Sequence, residues 1–286
     1  MSSDTRATHF RGISFAHLDL DGATRLLLSR RGLATAVPWR LVNAYSVSLM
    51  GRLPDYASVL QGDGVNLADG KPVAWALRAM SRRADSPTIP EHVRGPAFFE
   101  RVLDEGRARG IRHYLLGGSP ETLEKLQAAI EERFPGARVV GAYSPPFRPL
   151  TPEERAAQDR RIRASRADLV WVGLGTPRQD GEAERIARTV GIPAIGIGAA
   201  FDFLAGTKAE APVWMQRAAL EWLFRFASEP RRLWHRYTVG LLQFALVAAR
   251  ELVRRPVVTA PPVRTIHLRP AARLVQGFLE SERVGA

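Results

Sequence analysis

Up to about residue 205, short apolar runs alternate along the chain with longer segments of helical periodicity. This alternation is typical of strands and crossover helices in a parallel or mixed α/β sheet. Several predicted helices have a proline in the first turn, where its missing N–H costs no hydrogen bond. The predicted strands are Arg40–Ser46, Val65–Ala68, Arg112–Leu116, Ala137–Gly141, Ala167–Val172 and Ile192–Gly196, and the predicted helices are Pro72–Arg82, Pro96–Arg109, Pro120–Phe134, Pro152–Ala164 and Arg178–Val190.

Beyond this region the pattern becomes helical only. Two helical segments, Pro212–Ser228 and Pro230–Arg255, follow each other with no strand between them. In the first, Arg217, Glu221 and Arg225 recur at every fourth position and predict one polar stripe on an otherwise apolar helix. The pattern therefore predicts an α/β domain over 1–206, a helical appendage over 207–255 and a loosely held Pro/Arg-rich tail over 256–286.

Composition narrows the functional classes. The chain has no cysteine, which excludes disulfides, thiolate zinc sites and a cysteine nucleophile. Its net charge of +12 favours a polyanionic partner such as nucleic acid, anionic lipid or a phosphate-bearing small molecule. Met1–Arg11 lacks the apolar core of a secretory signal, and no apolar stretch reaches the roughly 20 residues of a spanning helix. We therefore expect a protein that stays in the cytosol.

Three interpretations of the appendage stay open at this stage. It can be a helical hairpin packed on the sheet domain or on a second subunit. It can be an interfacial membrane anchor, because interleaved Trp and Arg with strong amphipathicity are typical of such helices. Nucleic-acid binding is the least favoured interpretation, since the arginines alternate with large aliphatic residues and no nucleic-acid-binding motif is present.

Two polar residues lie at the carboxyl ends of apolar runs, Asn43 at the end of Trp39–Asn43 and Asp69 after Val65–Ala68. Asp69 comes directly after Val65–Ala68, at the carboxyl end where open α/β sheets hold their ligands, and is a candidate general base. With Gly70 it also forms the Asp-Gly pair of an ordinary turn. Asn43 can reach the same edge and hydrogen-bond a sugar or uracil group, or it is simply a turn asparagine.

Two strand–turn–helix junctions are candidate phosphate cradles. The first contains Gly117, Gly118 and Ser119, and the second contains Gly175 and Gln179. Free N–H groups at a helix start favour phosphate, although the same geometry also serves helix capping alone. Neither junction matches the dinucleotide fingerprint or the P-loop pattern, which argues against a nicotinamide enzyme or a P-loop ATPase.

A metal site is not expected. Asp19-Leu20-Asp21 resembles the DxD metal clasp of a different glycosyltransferase architecture, but it precedes the helical pattern Ala23–Arg30, for which Asp21 is a natural N-cap. The six histidines show no ligand spacing.

Several consecutive segments together resemble the WecG/TagA/CpsF glycosyltransferases, over about residues 13 to 237. Their order along the chain makes chance agreement very improbable. The segments are Val172–Gln179 (VGLGTPRQ), Gly196–Gly206 (GIGAAFDFLAG), Ala211–Gln216 (APVWMQ), Leu220–Arg225 (LEWLFR) and Glu229–Trp234 (EPRRLW).

The resemblance implies an inverting, metal-independent transfer from a UDP-sugar to a sugar on a polyprenyl-pyrophosphate carrier. It implies a Rossmann-like core of the GT-E type and a place at the cytoplasmic face of the membrane, in exopolysaccharide, capsule or wall-polymer synthesis. The transferred sugar would be a hexose or an N-acetylhexosamine, and a homo-oligomer is compatible with the family.

The resemblance also suggests roles for particular residues. The family's catalytic aspartate lies in an A/P-D-G segment, which corresponds to Asp69 in this chain. The donor would contact Asn43, Gly70, Gly117, Gly118, Gly175, Gln179 and Asp202, and anionic head groups or pyrophosphate would contact Arg217, Arg225, Arg231 and Arg232.

Some positions depart from the family pattern. Leu41 stands where threonine is frequent, and His92 stands where an arginine near the donor is expected. Asp180 replaces a glutamate and Glu210 a basic residue. These departures bear on donor choice, and they keep a second hypothesis open: a non-catalytic nucleotide-sugar-binding partner in a polysaccharide synthesis complex.

Overall fold

The computed structural model describes residues 6–254 and 256–259, without the side chains of Arg232 and His235. The described residues form a nine-stranded, mostly parallel sheet flanked by helices, which confirms the predicted α/β class. The strands are β1 (Ala7–Phe10), β2 (Ile13–Ala16), β3 (Pro38–Val42), β4 (Val65–Ala68), β5 (Arg112–Gly117), β6 (Arg138–Tyr143), β7 (Leu169–Gly173), β8 (Ala194–Gly196) and β9 (Val257–Thr259).

Fourteen helices are described. They are α1 (Leu20–Leu28), α2 (Arg30–Ala34), α3 (Ala44–Leu49), α4 (Pro54–Gln61), α5 (Lys71–Arg83), α6 (Gly95–Arg107), α7 (Pro120–Arg133), α8 (Pro152–Ser165), α9 (Arg178–Val190), α10 (Ala200–Leu204), α11 (Val213–Arg217), α12 (Glu221–Ser228), α13 (Pro230–Tyr237) and α14 (Val239–Val253).

The sheet has the order β6-β5-β7-β8-β3-β4-β2-β1-β9. All pairs from β6 to β2 are parallel, and the β2–β1 and β1–β9 pairs are antiparallel. The central strands β3, β4 and β8 are buried along their whole length, as expected where helices cover both faces. This explains why most of their residues are apolar, and the two buried polar exceptions, Arg40 in β3 and Asn66 in β4, hydrogen-bond to each other.

Aromatic side chains fill the core on one side of the sheet. Trp39 stacks on Phe98 with ring centroids 6.0 Å apart, and Trp171 meets Phe99 edge-on at 4.9 Å. All four side chains are at most 1% exposed. The two tryptophans come from β3 and β7, so their burial fixes α6 across the middle of the sheet.

The predicted strand Arg40–Ser46 is too long. The strand ends at Val42, and α3 begins at Ala44 because the Asn43 side chain accepts a hydrogen bond from the Ser46 N–H at 3.1 Å. The antiparallel pair β1 and β2 was not predicted, since four-residue strands carry little periodicity.

The two long helices predicted after residue 206 are each broken. Ala219 has φ 62° between α11 and α12, and Thr238 separates α13 from α14. The predicted stripe of Arg217, Glu221 and Arg225 is therefore wrong, since Arg217 and Glu221 lie on different helices.

The last helix is anchored in the core. Phe244 of α14 is buried and stacks on Phe10 with ring centroids 5.8 Å apart. The chain then returns to the sheet, where β9 pairs with β1. Most of the predicted tail, 260–286, lies outside the described residues. Among the residues that are described, no helix is long and apolar enough to cross a membrane.

One buried histidine makes stability depend on pH. His113 in β5 is fully buried, and its Nδ1 accepts a hydrogen bond from Trp171 Nε1 at 3.1 Å. Burial lowers the pKa of His113 from 6.5 to about 4, although Asp168 opposes the change. Below pH 6.5 the His113 imidazole is protonated in the unfolded chain but stays neutral in the folded protein. The free energy of unfolding therefore falls as the pH drops towards 4.

We expect His113→Asn to remove this contribution. Between pH 7.5 and pH 5 the lowered pKa of His113 reduces the free energy of unfolding by about 2 kcal/mol. In the Asn variant the free energy of unfolding should therefore depend less steeply on pH. The variant is less stable at pH 7.5 because the smaller side chain leaves a cavity. Urea unfolding at both pH values measures the difference. His17, whose pKa is also lowered to about 4, keeps contributing in both proteins, so an unchanged slope would contradict the assignment to His113.

Candidate active site

The predicted catalytic and donor-binding residues line one edge of the sheet. Each follows the carboxyl end of a parallel strand or lies in the helix after it, in the order β5, β7, β8, β3 and β4 across the sheet. Four inter-strand spacings of about 4.8 Å separate β5 from β4, so the outer members lie roughly 19 Å apart. A ligand that touches both ends must therefore be extended. From β5 to β4 the residues are Gly117 and Gly118, Gly175 and Gln179, Asp202, Asn43, and Asp69 with Gly70.

Asn43 and Asp69 meet at the ends of neighbouring strands. The Asn43 oxygen is used as the cap of α3, which turns its Nδ2 towards Asp69 Oδ2 at 3.4 Å. The Asp69 backbone N–H donates to Val42 O at 3.0 Å and continues the strand pairing. Asn43 therefore caps α3, and the capping bond fixes an amide that faces the Asp69 carboxylate.

The segment after α5 brings His92 beside the same carboxylate. Val93 N donates to Ala68 O at 2.9 Å, so this segment pairs with the end of β4. His92 Nε2 lies 3.9 Å from Asp69 Oδ1, and the two side chains are 20% and 28% exposed. Both side chains are thus partly exposed, so a ligand can reach them.

The surroundings keep Asp69 ionised. Burial by itself raises the pKa of its carboxyl group, but the contact with His92 and the hydrogen bond from Asn43 outweigh this effect. The charge of Arg236 adds to the lowering, and the pKa lies below its ordinary value of 3.8. At neutral pH the group is a carboxylate that can accept a proton.

Arg236, on α13, is a site residue that the sequence did not reveal. Its guanidinium lies 5.1 Å from the ring centroid of Tyr45 and within electrostatic reach of Asp69. Burial lowers the pKa of Arg236, and Arg225 acts in the same direction while Tyr237 and Asp69 oppose it. Two appendage arginines therefore approach the sheet edge. Arg236 falls on the polar side of an amphipathic helix, and no periodicity distinguishes it from other surface arginines.

The first glycine turn brings β5 and β7 close together. Gly117 has φ 115°, and a Cβ there would lie 2.6 Å from the Gly173 carbonyl oxygen. Gly118 also has positive φ, 74°. Ser119 caps α7 by accepting from Thr122 N at 3.1 Å. The turn thus serves helix capping, and Gly117 lets β5 approach β7 closely.

The second turn is held to the end of β8. Gln179 is buried, and its Oε1 accepts from Gly198 N at 2.8 Å, whereas Gly175 is exposed with open space around it. Asp180 is also buried and accepts from the Tyr56 hydroxyl at 2.7 Å. Burial raises the pKa of Asp180 to about 6, and Tyr56 and Arg40 oppose this. Gln179 and Asp180 therefore hold the start of α9 in place, Gln179 against the end of β8 and Asp180 against Tyr56 of α4.

The family model of the glycosyl transferase WecG/TagA/CpsF family matches residues 8–257. The chain belongs to this family. It is thus a member of a glycosyltransferase family, which confirms the resemblance seen in the sequence.

For this family member, Asp202 is partly occupied by its own neighbours. Lys208 Nζ donates to Asp202 Oδ2 at 3.0 Å, and the Thr207 hydroxyl donates to Oδ1 at 3.3 Å. A ligand that hydrogen-bonds to the Asp202 carboxylate has to share that carboxylate with Lys208 or displace the Lys208 side chain.

The four predicted acceptor arginines differ in their surroundings. Arg225 lies 5.6 Å from the ring centroid of Phe203, beside the site. Arg217 and Arg231 are exposed. The side chain of Arg232 lies outside the described residues.

The Asp19-Leu20-Asp21 segment has a structural role. Asp19, and not Asp21, caps α1 by accepting from Gly22 N at 2.6 Å, which corrects the prediction. Asp21 pairs with Arg101 at 2.7 Å. In the described part of the chain, no three His, Asp or Glu side chains are grouped to hold a metal ion.

Proposed function

We propose that this glycosyltransferase moves a sugar from a UDP-sugar to a sugar on a polyprenyl-pyrophosphate carrier, with inversion and without a metal, in the synthesis of a cell-envelope polymer. The observation that carries the proposal is the position of Asp69 at the end of β4, 3.4 Å from Asn43 Nδ2 and 3.9 Å from His92 Nε2. The core would then be of the GT-E type.

In this mechanism Asp69 takes the proton from the acceptor hydroxyl. The oxygen attacks the anomeric carbon of the donor while the bond between that carbon and the UDP oxygen breaks, so the configuration inverts. The lowered pKa makes Asp69 a weak base but keeps it ionised. Proton removal therefore occurs late, once the hydroxyl has been acidified by attack.

The leaving diphosphate needs positive charge or N–H donors. Gly175 exposes backbone at this edge, Gly118 is half-buried beside it, and Arg225 and Arg236 supply cations from the appendage. Fixed cations of this kind stabilise a developing negative charge in the transition state. These groups support a reaction that needs no metal ion, and the span of roughly 19 Å suits an extended nucleotide sugar better than a compact one.

The proposal is tested by UDP release from a panel of UDP-hexoses and UDP-N-acetylhexosamines. The full chain is bound to vesicles that carry a polyprenyl-pyrophosphate-linked sugar, with EDTA present throughout. Release that depends on the acceptor and continues in EDTA supports the transferase and identifies its donor. Loss of activity in EDTA that returns with a divalent cation would contradict the metal-free mechanism.

We further propose that the appendage rests on an anionic membrane surface. Its outer side exposes large apolar residues beside the exposed Arg217 and Arg231. Trp214 and Trp234 are 63% and 60% exposed, which is unusual for tryptophan on a surface facing only water. The exposed apolar residues of the appendage are Val213, Trp214, Trp222, Leu223, Trp234, Val239, Leu242, Leu246 and Val253.

We expect the double variant Trp214→Ser, Trp234→Ser to bind anionic vesicles about 100-fold more weakly, since each buried aromatic ring contributes about a factor of ten. Vesicle co-sedimentation measures the partition. Phe147→Ser, which removes an aromatic that is 95% exposed in the loop after β6, is the matched control and should bind normally. Equal binding by all three proteins would contradict the proposed contact surface.

A further inference from the structure

Arg94 connects the α/β core to the beginning of the appendage. Its Nε donates to Glu221 Oε2 at 2.9 Å and its Nη2 to Glu221 Oε1 at 3.3 Å, a two-point pairing. The same Nη2 also pairs with Glu210. The Arg94 side chain is 15% exposed, so the pairing is largely shielded from water. Such a planar fork fixes both the distance and the orientation of its partner.

This pairing matters because α11 and α12 are not held by apolar burial. No residue of either helix is buried, whereas α14 buries Phe244 and Ala248 in the core. The contacts of this region with the core include the pairing of Arg94 with Glu221 and the cation–π contact of Arg225 with Phe203. These charged contacts add to the packing of α12 on α13 in fixing the position of α12.

On the core side, Arg94 is tied to the strand that carries Asp69. Val93 N donates to Ala68 O, and Arg94 O accepts from Phe98 N at 2.9 Å as the first bond of α6. His92, two residues before Arg94, is the residue that contacts Asp69. The backbone of Arg94 is therefore held in place close to Asp69, the candidate base.

On the appendage side, α12 packs on α13 through aromatic rings. The ring centroids of Trp222 and Tyr237 are 6.0 Å apart, and those of Phe226 and Tyr237 are 6.4 Å apart. Tyr237 directly follows Arg236, which brings positive charge to Asp69. A shift of α12 would therefore move Tyr237 and with it the Arg236 guanidinium.

We propose that Arg94 is a positioning residue for sugar transfer: its pairing with Glu221 and Glu210 holds α12 on the core, so that α13 delivers Arg236 to Asp69. This role rests on the proposed function and adds a residue that touches neither donor nor acceptor. The appendage is closed when the pairing is formed. Opening the pairing removes a cation from the site without changing Asp69.

The kinetic test compares Arg94→Met and Glu221→Gln with Arg101→Met. Arg101 lies on α6, the helix that begins directly after Arg94. It pairs with Asp21 and Glu105, away from the appendage. We expect kcat to fall about 100-fold in Arg94→Met and Glu221→Gln, as for a small displacement of a catalytic group, and to stay normal in Arg101→Met. The acidic limb of kcat/KM should move to higher pH in the two affected variants, since the lowering of the Asp69 pKa by Arg236 is lost. The exchange Arg94→Glu with Glu221→Arg, made together with Glu210→Gln so that the new carboxylate faces no like charge, should restore part of kcat.

A second measurement does not depend on activity. Because the chain has no cysteine, Ala227→Cys on α12 and Ala128→Cys on α7 can be spin-labelled specifically. Pulsed electron resonance should give one narrow distance in the otherwise unchanged protein and a broad distribution after Arg94→Met. An unchanged distribution in Arg94→Met would overturn the proposal, as would a charge exchange that restores nothing. If the unchanged protein releases no UDP but the distances respond as expected, the proposed transfer fails while the positioning of α12 stands.

Discussion

Replacing Asp69 by Asn is expected to lower the rate of UDP release by about 10²- to 10⁴-fold, the range found when a general base is removed. The amide has almost the same shape, so the contact with Asn43 and the binding of UDP should persist. Steady-state turnover and UDP binding by calorimetry, measured on the same protein, separate the two effects. Normal turnover in the variant would favour the alternative of a non-catalytic nucleotide-sugar-binding partner.

The pH dependence identifies the base. A group that must be deprotonated loses activity as the pH falls through its pKa, and the pKa of Asp69 lies below 3.8. From pH 5 to pH 8 the titration of Asp69 should therefore leave kcat/KM unchanged. A fall in kcat/KM between pH 7 and pH 5 would contradict the assignment of Asp69 as the base.

Replacing Arg236 by Met is expected to lower kcat by about 10²-fold, as when one group that stabilises transition-state charge is removed. The variant also loses a cation that lowers the pKa of Asp69, so the acidic limb of its kcat/KM profile should move to higher pH. Arg236→Lys should recover only part of the activity, because an ammonium group cannot reproduce the planar contact with Tyr45. Initial rates at saturating donor and acceptor measure these effects.

Arg250→Met is the matched control for Arg236→Met. Arg250 lies exposed on α14, so its removal changes the net charge equally without touching the site. If both variants lose activity to the same extent, the effect is one of overall charge at the membrane. If only Arg236→Met does, the guanidinium acts at the sheet edge.

The periodicity of the chain was sufficient to locate most of the central sheet. Val65–Ala68 is confirmed without change, because a buried parallel strand is mostly apolar; its one polar residue, Asn66, donates hydrogen bonds to the Ser14 and Leu60 carbonyls. The strand beginning at Arg40 was extended too far, since its apolar pattern runs on into α3 and only the Asn43 cap marks the boundary. The short strands β1, β2 and β9 could not be predicted because each is stable only through its neighbours in the sheet.

The sequence also indicated that Asp69 and Asn43 lie at the same edge of the sheet. Asp69 directly follows the predicted strand Val65–Ala68 and Asn43 ends the apolar run Trp39–Asn43, and the carboxyl ends of parallel strands share one edge. The family of the chain was likewise readable from the ordered segments between Val172 and Trp234, and the family match confirms it.

Only the tertiary structure decided what completes this edge. Arg94 and Glu221 are 127 positions apart in the chain, and no local pattern relates them. Arg236 resembled any other arginine on an amphipathic helix until the breaks at Ala219 and Thr238 set the direction of α13. Local periodicity records which face of an element is buried, whereas the choice of partner across the molecule depends on how separate elements pack, and that information is distributed over the whole chain.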